Sequence, residues 1–161
     1  AELDHIRRHQ DRLPIRLKND DTTQKHDVGV GHAVYHECAI NLVTETSITE
    51  GVMLTEKSCK PFMAYQIPIM VGPVGGSQFL QDIGLDMFAD YIPWTTWDHV
   101  ADHKLRIRRI VEFVDGLLAN PEAIVLAHQG FRDRLIKNKQ YFHSPEFQNL
   151  LLAQILNFKP G

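Results

Sequence analysis

VMLTEKSCKPFMAYQIPIMVG, residues 52–72, is the stretch on which the fold turns. Thr55-Glu56-Lys57 stands at the entrance to a predicted helix, residues 55–66, and the apolar run Ile67-Pro68-Ile69-Met70-Val71 follows, stopped by Gly72. Upstream, Ala39-Ile40-Asn41-Leu42-Val43 is a second apolar run that ends on Glu45-Thr46, and residues 38–46 read as a strand. Strand, charged turn, helix, strand is the βαβ unit of parallel sheets. The second strand, residues 67–72, is apolar without alternation, as expected of a strand covered on both faces. Pro61 gives the helix two readings: a kink there, or a true start at Lys60-Pro61 with an irregular turn before it, because proline lacks the N–H that Lys57 would receive.

Outward from this unit the chain reads as one α/β domain. The expected fold is a small parallel Rossmann-like sheet of three or four strands flanked by helices, with a helical C-terminal third. Ser77 is expected to cap a short helix from Gln78 to Ile83 that Gly84 ends. Residues 85–91 are expected to contain a third short strand, followed by an aromatic loop with Trp94 and Trp97. Leu105, Ile107, Ile110, Val111, Val114, Leu117 and Leu118 recur at helical spacing. Asn120-Pro121-Glu122 is a helix start: cap, proline in the first turn, then an acid. Ser144-Pro145-Glu146 repeats that grammar and opens the last helix, which is expected to end before Pro160.

Residues 1–37 are polar and charge-dense, with Ile15-Arg16-Leu17 as a short alternating stretch and 18–27 as a loop. This segment reads as a remnant of, or a linker to, a missing domain, and residues 38–161 as the nucleotide-sugar-binding domain argued below. At 161 residues the chain suits one domain. Hydrophobic content of 43% and charged content of 23% are those of a globular protein, and no apolar run approaches the roughly 20 residues of a membrane span. Net charge is −3 with His neutral, which argues against nucleic acid as the main partner, since phosphate contacts need clustered Lys and Arg. The two cysteines, Cys38 and Cys59, fit no metal spacing and read as reduced, mostly buried thiols of a cytoplasmic protein.

The functional reading starts from what a nucleoside diphosphate sugar demands. Its pyrophosphate needs helix-start N–H groups and a Lys. Its ribose hydroxyls suit a carboxylate, and its sugar needs close backbone approach, which glycine permits. Glu56 for the ribose, Lys57 for the phosphate, and Gly72, Gly75 and Gly76 for closeness meet this set, at the carboxyl edge where parallel sheets bind ligands. The bland alternative is a solvated first turn of a helix.

Leu54-Thr55-Glu56-Lys57 followed by Ile67-Pro68-Ile69-Met70-Val71-Gly72-Pro73 resembles the donor-binding motif of the GDP-fucose-dependent fucosyltransferases. The segment from Gly84-Leu85-Asp86-Met87-Phe88 to Asp98, with the later Arg cluster, resembles short phage and bacterial proteins with the same Thr-Glu-Lys core. Val43-Thr44-Glu45-Thr46 stands where the fucosyltransferase family has a Glu-Asn-Ser type strand end, with Thr46 in place of Asn. The fucosyltransferase likeness covers residues 40–76. It implies the donor-binding half of a two-Rossmann glycosyltransferase that inverts the sugar, without a metal or a further cofactor. By position it implies Glu56 at the ribose and Lys57 at the phosphate, with Glu45 and Thr55 beside them. The family's acceptor-binding domain has no counterpart in residues 1–37, so the acceptor and the catalytic base stay unassigned, and a second subunit or domain, or a homo-oligomer, is an expected partner.

Other candidates carry a bland reading beside the functional one. Arg106 and Arg109 are possible phosphate contacts or part of a solvated helix face. Trp94 and Trp97 are a sugar-stacking platform or cover for a core edge. The pairs His32/His36 and His99/His103 have metal-ligand spacing or are surface histidines.

Overall fold

The computed structural model describes residues 33–46, 48 and 55–150, apart from the side chains of residues 33, 34 and 56. The expectations for residues 1–32, for most of the connector after β1 and for the end of the last helix lie outside the described residues, as does His32 of the first histidine pair.

A five-residue helix, α1 (Ala33–Glu37), leads into β1 (Ile40–Thr44); α2 (Glu56–Met63) connects it to β2 (Ile67–Val71). The two strands pair in parallel with Ile40 opposite Ile67 and Thr44 opposite Val71. This is the expected βαβ unit. β2 is buried along four of its five residues and β1 is one-sided, with Val43 buried and Leu42 exposed. α2 begins at Glu56 and runs through Pro61, so the reading that starts the helix at Lys60-Pro61 is excluded. Thr55 is the N-cap, its Oγ1 accepting from Lys57 N at 3.2 Å. The helix ends at Tyr65, which takes φ +57° while Gln66 N donates back to Pro61 O at 2.9 Å. That is the bond of a Schellman stop, whose left-handed position usually belongs to glycine.

Among the described residues the sheet has two strands, not three or four. Two features account for this. Ile67 N donates to Ala39 O, and Val71 O accepts from Glu45 N, both at 2.9 Å. The backbone groups of residues 67, 69 and 71 therefore face β1, and Pro68 turns its donorless nitrogen to the outer side of β2. A further strand there would lose a rung. Second, residues 85–88 form no ladder. Asp86 N donates to Asn138 Oδ1 and Asn138 Nδ2 donates to Asp86 O, each at 2.8 Å. One buried amide satisfies both backbone groups that a neighbouring strand would have paired.

After β2, α3 (Gly76–Asp82) starts from Gly75 at φ +78° and stops at Gly84, φ +96°. Its cap is not Ser77, whose buried hydroxyl finds no partner. The Asp98 carboxylate, 20 residues on, accepts from Ser77 N at 2.9 Å and Gln78 N at 3.0 Å. A short 3₁₀ turn (Trp94–Thr96) follows, and then α4 (His103–Leu118), capped by Asp102, α5 (Pro121–Gly130), capped by Asn120, and α6 (Arg132–Phe142). Residues 145–150 are helical, and Phe147 N donates to Ser144 Oγ at 3.1 Å, as the Ser-Pro-Glu grammar predicts.

The core gathers Val43, Phe62, Ile67, Ile69, Met70, Leu80, Leu85, Phe88, Trp97, Ile110 and Leu135. Phe62 stacks on Phe142 at 6.5 Å, so α6 closes over α2. Only Ile110 and Arg106 of α4 are buried, and nothing in α5 is. The apolar stripe of α4 is wider than the surface it covers, leaving Val111 and Leu118 exposed. No described helix is long and apolar enough to cross a membrane.

Candidate functional site

The carboxyl edge of the sheet is built around Glu45. The ladder carries one residue past β1, since Glu45 N donates to Val71 O, and this turns the side chain inward, where it is 7% exposed. A carboxylate buried to that degree requires donors. Thr55 Oγ1 supplies one at 2.7 Å, the Ser58 hydroxyl a second, and Thr55 N a longer contact at 3.4 Å. Thr55 thus donates to Glu45 while its oxygen accepts from Lys57 N. Negative charge lies at the first turn of α2, where the helix dipole favours it. β1, the connector's last residue and α2 are joined at this point, which fixes where α2 begins.

Lys57 points back across the same edge, and its Nζ donates to Thr46 Oγ1 at 3.0 Å. Among the described residues this ammonium has a neutral hydroxyl for a partner and no carboxylate. Glu56 opens α2 beside it, with its backbone alone described. Gly72 lies against Glu45: a Cβ there would sit 3.6 Å from Glu45 Cγ, an ordinary contact, so the protein's own packing does not demand glycine at this position. Gly75 is different. Its φ of +78° is left-handed, and its N–H donates to Asp98 O at 2.9 Å. Gly76 is the first residue of α3 and is buried.

The structure therefore brings Glu45, Thr55, Lys57 and Gly72 together, with Gly75 and Gly76 in the turn that leaves the same end of β2. It assigns the arginines other partners. Arg106 is buried and donates to Val100 O and Ile48 O, which ties the connector after β1 to the start of α4. Arg109 donates to Thr96 O. Both guanidinium groups donate to backbone carbonyls. Trp94 and Trp97 are 3% and 1% exposed, with Trp97 against Phe113 at 5.5 Å, so they belong to the core and offer no platform. Among the described residues no three His, Cys, Asp or Glu side chains gather as a metal site. Cys38 is exposed rather than buried, Cys59 is half-buried, and no disulfide joins them.

Sequence reasoning missed Ser58 and Asp98. Ser58 is three residues after the Thr55 cap, the spacing at which a capping-box side chain reaches back, and that spacing was available. Asp98 left no local trace, because the helix it caps lies 20 residues upstream. The two carboxylates do the same work at α2 and α3: each is a resident anion at a helix start.

No protein-family model matches the chain, and no curated protein or solved structure shows significant similarity to it.

Proposed function

We propose that the chain is the donor-binding part of a glycosyltransferase, with the Thr55-Glu56-Lys57 turn holding a nucleotide-sugar, GDP-sugars favoured. The observation that carries this reading is the Lys57 ammonium, kept at the carboxyl edge of a parallel βαβ unit with only the Thr46 hydroxyl as partner among the described residues. A cation at that edge, without a carboxylate partner among the described residues, suits a diphosphate. Glu45 and Thr55 act as positioning residues: their hydrogen bonds hold the α2 start from which Lys57 projects. Glu56 is assigned to the ribose on the strength of the resemblance, and the Gly72–Gly76 turn to the sugar. Arg106 and Arg109, bonded to backbone carbonyls, stay secondary candidates for a phosphate contact. Transfer would invert the sugar without a metal, to an acceptor held by a second subunit or domain.

The test is calorimetric titration with GDP-fucose, GDP-mannose and UDP-glucose. Native protein is expected to release heat with a GDP-sugar, and Lys57→Ala to weaken binding roughly 10- to 100-fold, the effect of about 1.4–3 kcal/mol from one charge-assisted contact. No heat with any donor removes the proposal.

A second reading is favoured by Glu45 and Asp98. Both are fully engaged at helix starts, and neither is placed to take a proton from an acceptor hydroxyl. On this reading the chain is a noncatalytic nucleotide-binding or assembly module. Binding without hydrolysis or transfer supports it, and turnover of a donor by this chain excludes it.

A further inference from the structure

A cleft of about 430 Å³ opens at the opposite end of β2, lined by Tyr65, His128, Gln129, Arg132, Leu135 and Ile136. Its size is within the range of small-molecule sites. The Tyr65 ring and the Leu135 and Ile136 side chains give it an apolar wall. Arg132 is the charged side chain among its described lining residues, and Lys139 stands beside the Tyr65 ring. Arg132 is exposed and makes no hydrogen bond or ion pair with the described residues. Lys139 Nζ stands 4.0 Å from the Tyr65 ring centroid. None of the described lining residues is Asp or Glu.

Tyr65 is held there against its own backbone preference. Its φ of +57° is the left-handed position of the α2 stop, which costs a residue with a Cβ about 1–2 kcal/mol. Two contacts from the far wall fasten it. Lys139 covers one face of the ring, and His128 Nε2 lies 2.8 Å from Tyr65 O. A carbonyl only accepts, so His128 carries its proton on Nε2. Non-glycine residues in this region of backbone space gather at ligand clamps, and here the strained residue contributes an aromatic wall to a cleft.

We propose that the cleft between Tyr65 and the α5–α6 junction binds a small organic carboxylate with an apolar, ring-sized body. The Arg132 guanidinium would pair with the carboxylate, for which its fork of donors is suited. Tyr65, Leu135 and Ile136 would cover the apolar body. This site is independent of the donor reading, since the two lie at opposite ends of the sheet.

The experiment uses naphthalene-2-acetate as probe and naphthalene-2-acetamide as its uncharged control, with saturation-transfer NMR for contact and calorimetry for affinity. The carboxylate is expected to bind at least about tenfold more tightly than the amide, a charge-assisted difference of about 1.4 kcal/mol. Arg132→Gln is expected to bring the carboxylate down to the amide's affinity. Tyr65→Gly is expected to weaken both probes while keeping or raising the urea midpoint, because glycine relieves the strain; this separates lost binding from lost folding. Lys57→Ala, which weakens donor binding, is expected to leave the affinity for both naphthalene probes as it is. Equal affinity for the two probes, no saturation transfer at millimolar carboxylate, unaltered discrimination in Arg132→Gln, or loss of binding in Lys57→Ala would each overturn the proposal.

Discussion

Among the described glycines, Gly84 is the one at which a single methyl group has the most to disturb. It ends α3 at φ +96°, and a Cβ would stand 2.9 Å from the Tyr141 ring, whose hydroxyl donates to Ile83 O at 2.8 Å. Gly84→Ala is expected to lower stability by about 2 kcal/mol, from left-handed strain and a displaced ring together, read as a fall in the urea midpoint with unchanged slope. Arg134 is the other residue to test. It forms paired bonds to Asp86 (2.6 and 2.8 Å) and Asp90 (both 2.8 Å) and lies 4.7 Å from the ring centroids of Phe88 and Phe131. The bond from Arg134 holds the Asp90 carboxyl below its ordinary range. A carboxyl depressed in the fold adds stability above its unfolded pKa near 4, and loses it as pH falls through the folded value. Arg134→Met is therefore expected to cost about 1 kcal/mol at pH 7, modest because the groups are solvated. The gap from native protein should narrow as pH falls below the ordinary carboxylate pKa near 4, in urea titrations across pH. A gap that does not narrow would assign the effect to packing on the two rings.

At the scale of elements, two side chains replace secondary structure. Asp98 caps α3 from 20 residues away, and Asp98→Ala is expected to cost about 1–2 kcal/mol, with Asp98→Asn recovering part of it, both measured by thermal unfolding. Asn138 is 4% exposed and stands in for a strand beside Asp86. Asn138→Leu leaves the Asp86 N–H and carbonyl without their partner, at an expected cost of about 2–3 kcal/mol. Faster hydrogen exchange at Asp86 should accompany it, and unchanged exchange there would refute the assignment. These elements also show why the reading from sequence succeeded where it did. β1, α2, β2 and the starts at Asn120 and Ser144 are written in neighbouring residues: apolar runs, a cap, a proline. The expected strand over 85–91 and the Ser77 cap were misread because their partners, Asn138 and Asp98, lie 52 and 20 residues distant, beyond any local pattern.

Across the whole molecule, the candidate edge was legible in kind and less so in engagement. Thr55 and Lys57 fall where the βαβ pattern put them. That Glu45 is held by Thr55 and Ser58 depends on how β1 meets the start of α2, and that Arg106 and Arg109 bond carbonyls depends on how α4 returns to the sheet, which no spacing encodes. Pro68 has a larger consequence than its single missing hydrogen suggests. By strand preference valine suits this position better. Yet Pro68 is buried, and a valine N–H would point away from β1 toward space that holds no described strand. Pro68→Val is therefore expected to lose about 1–2 kcal/mol, and a gain in thermal midpoint would count against this geometry. With that nitrogen in place, the outer border of β2 is chemically mute at the point where a strand added there would have to be answered.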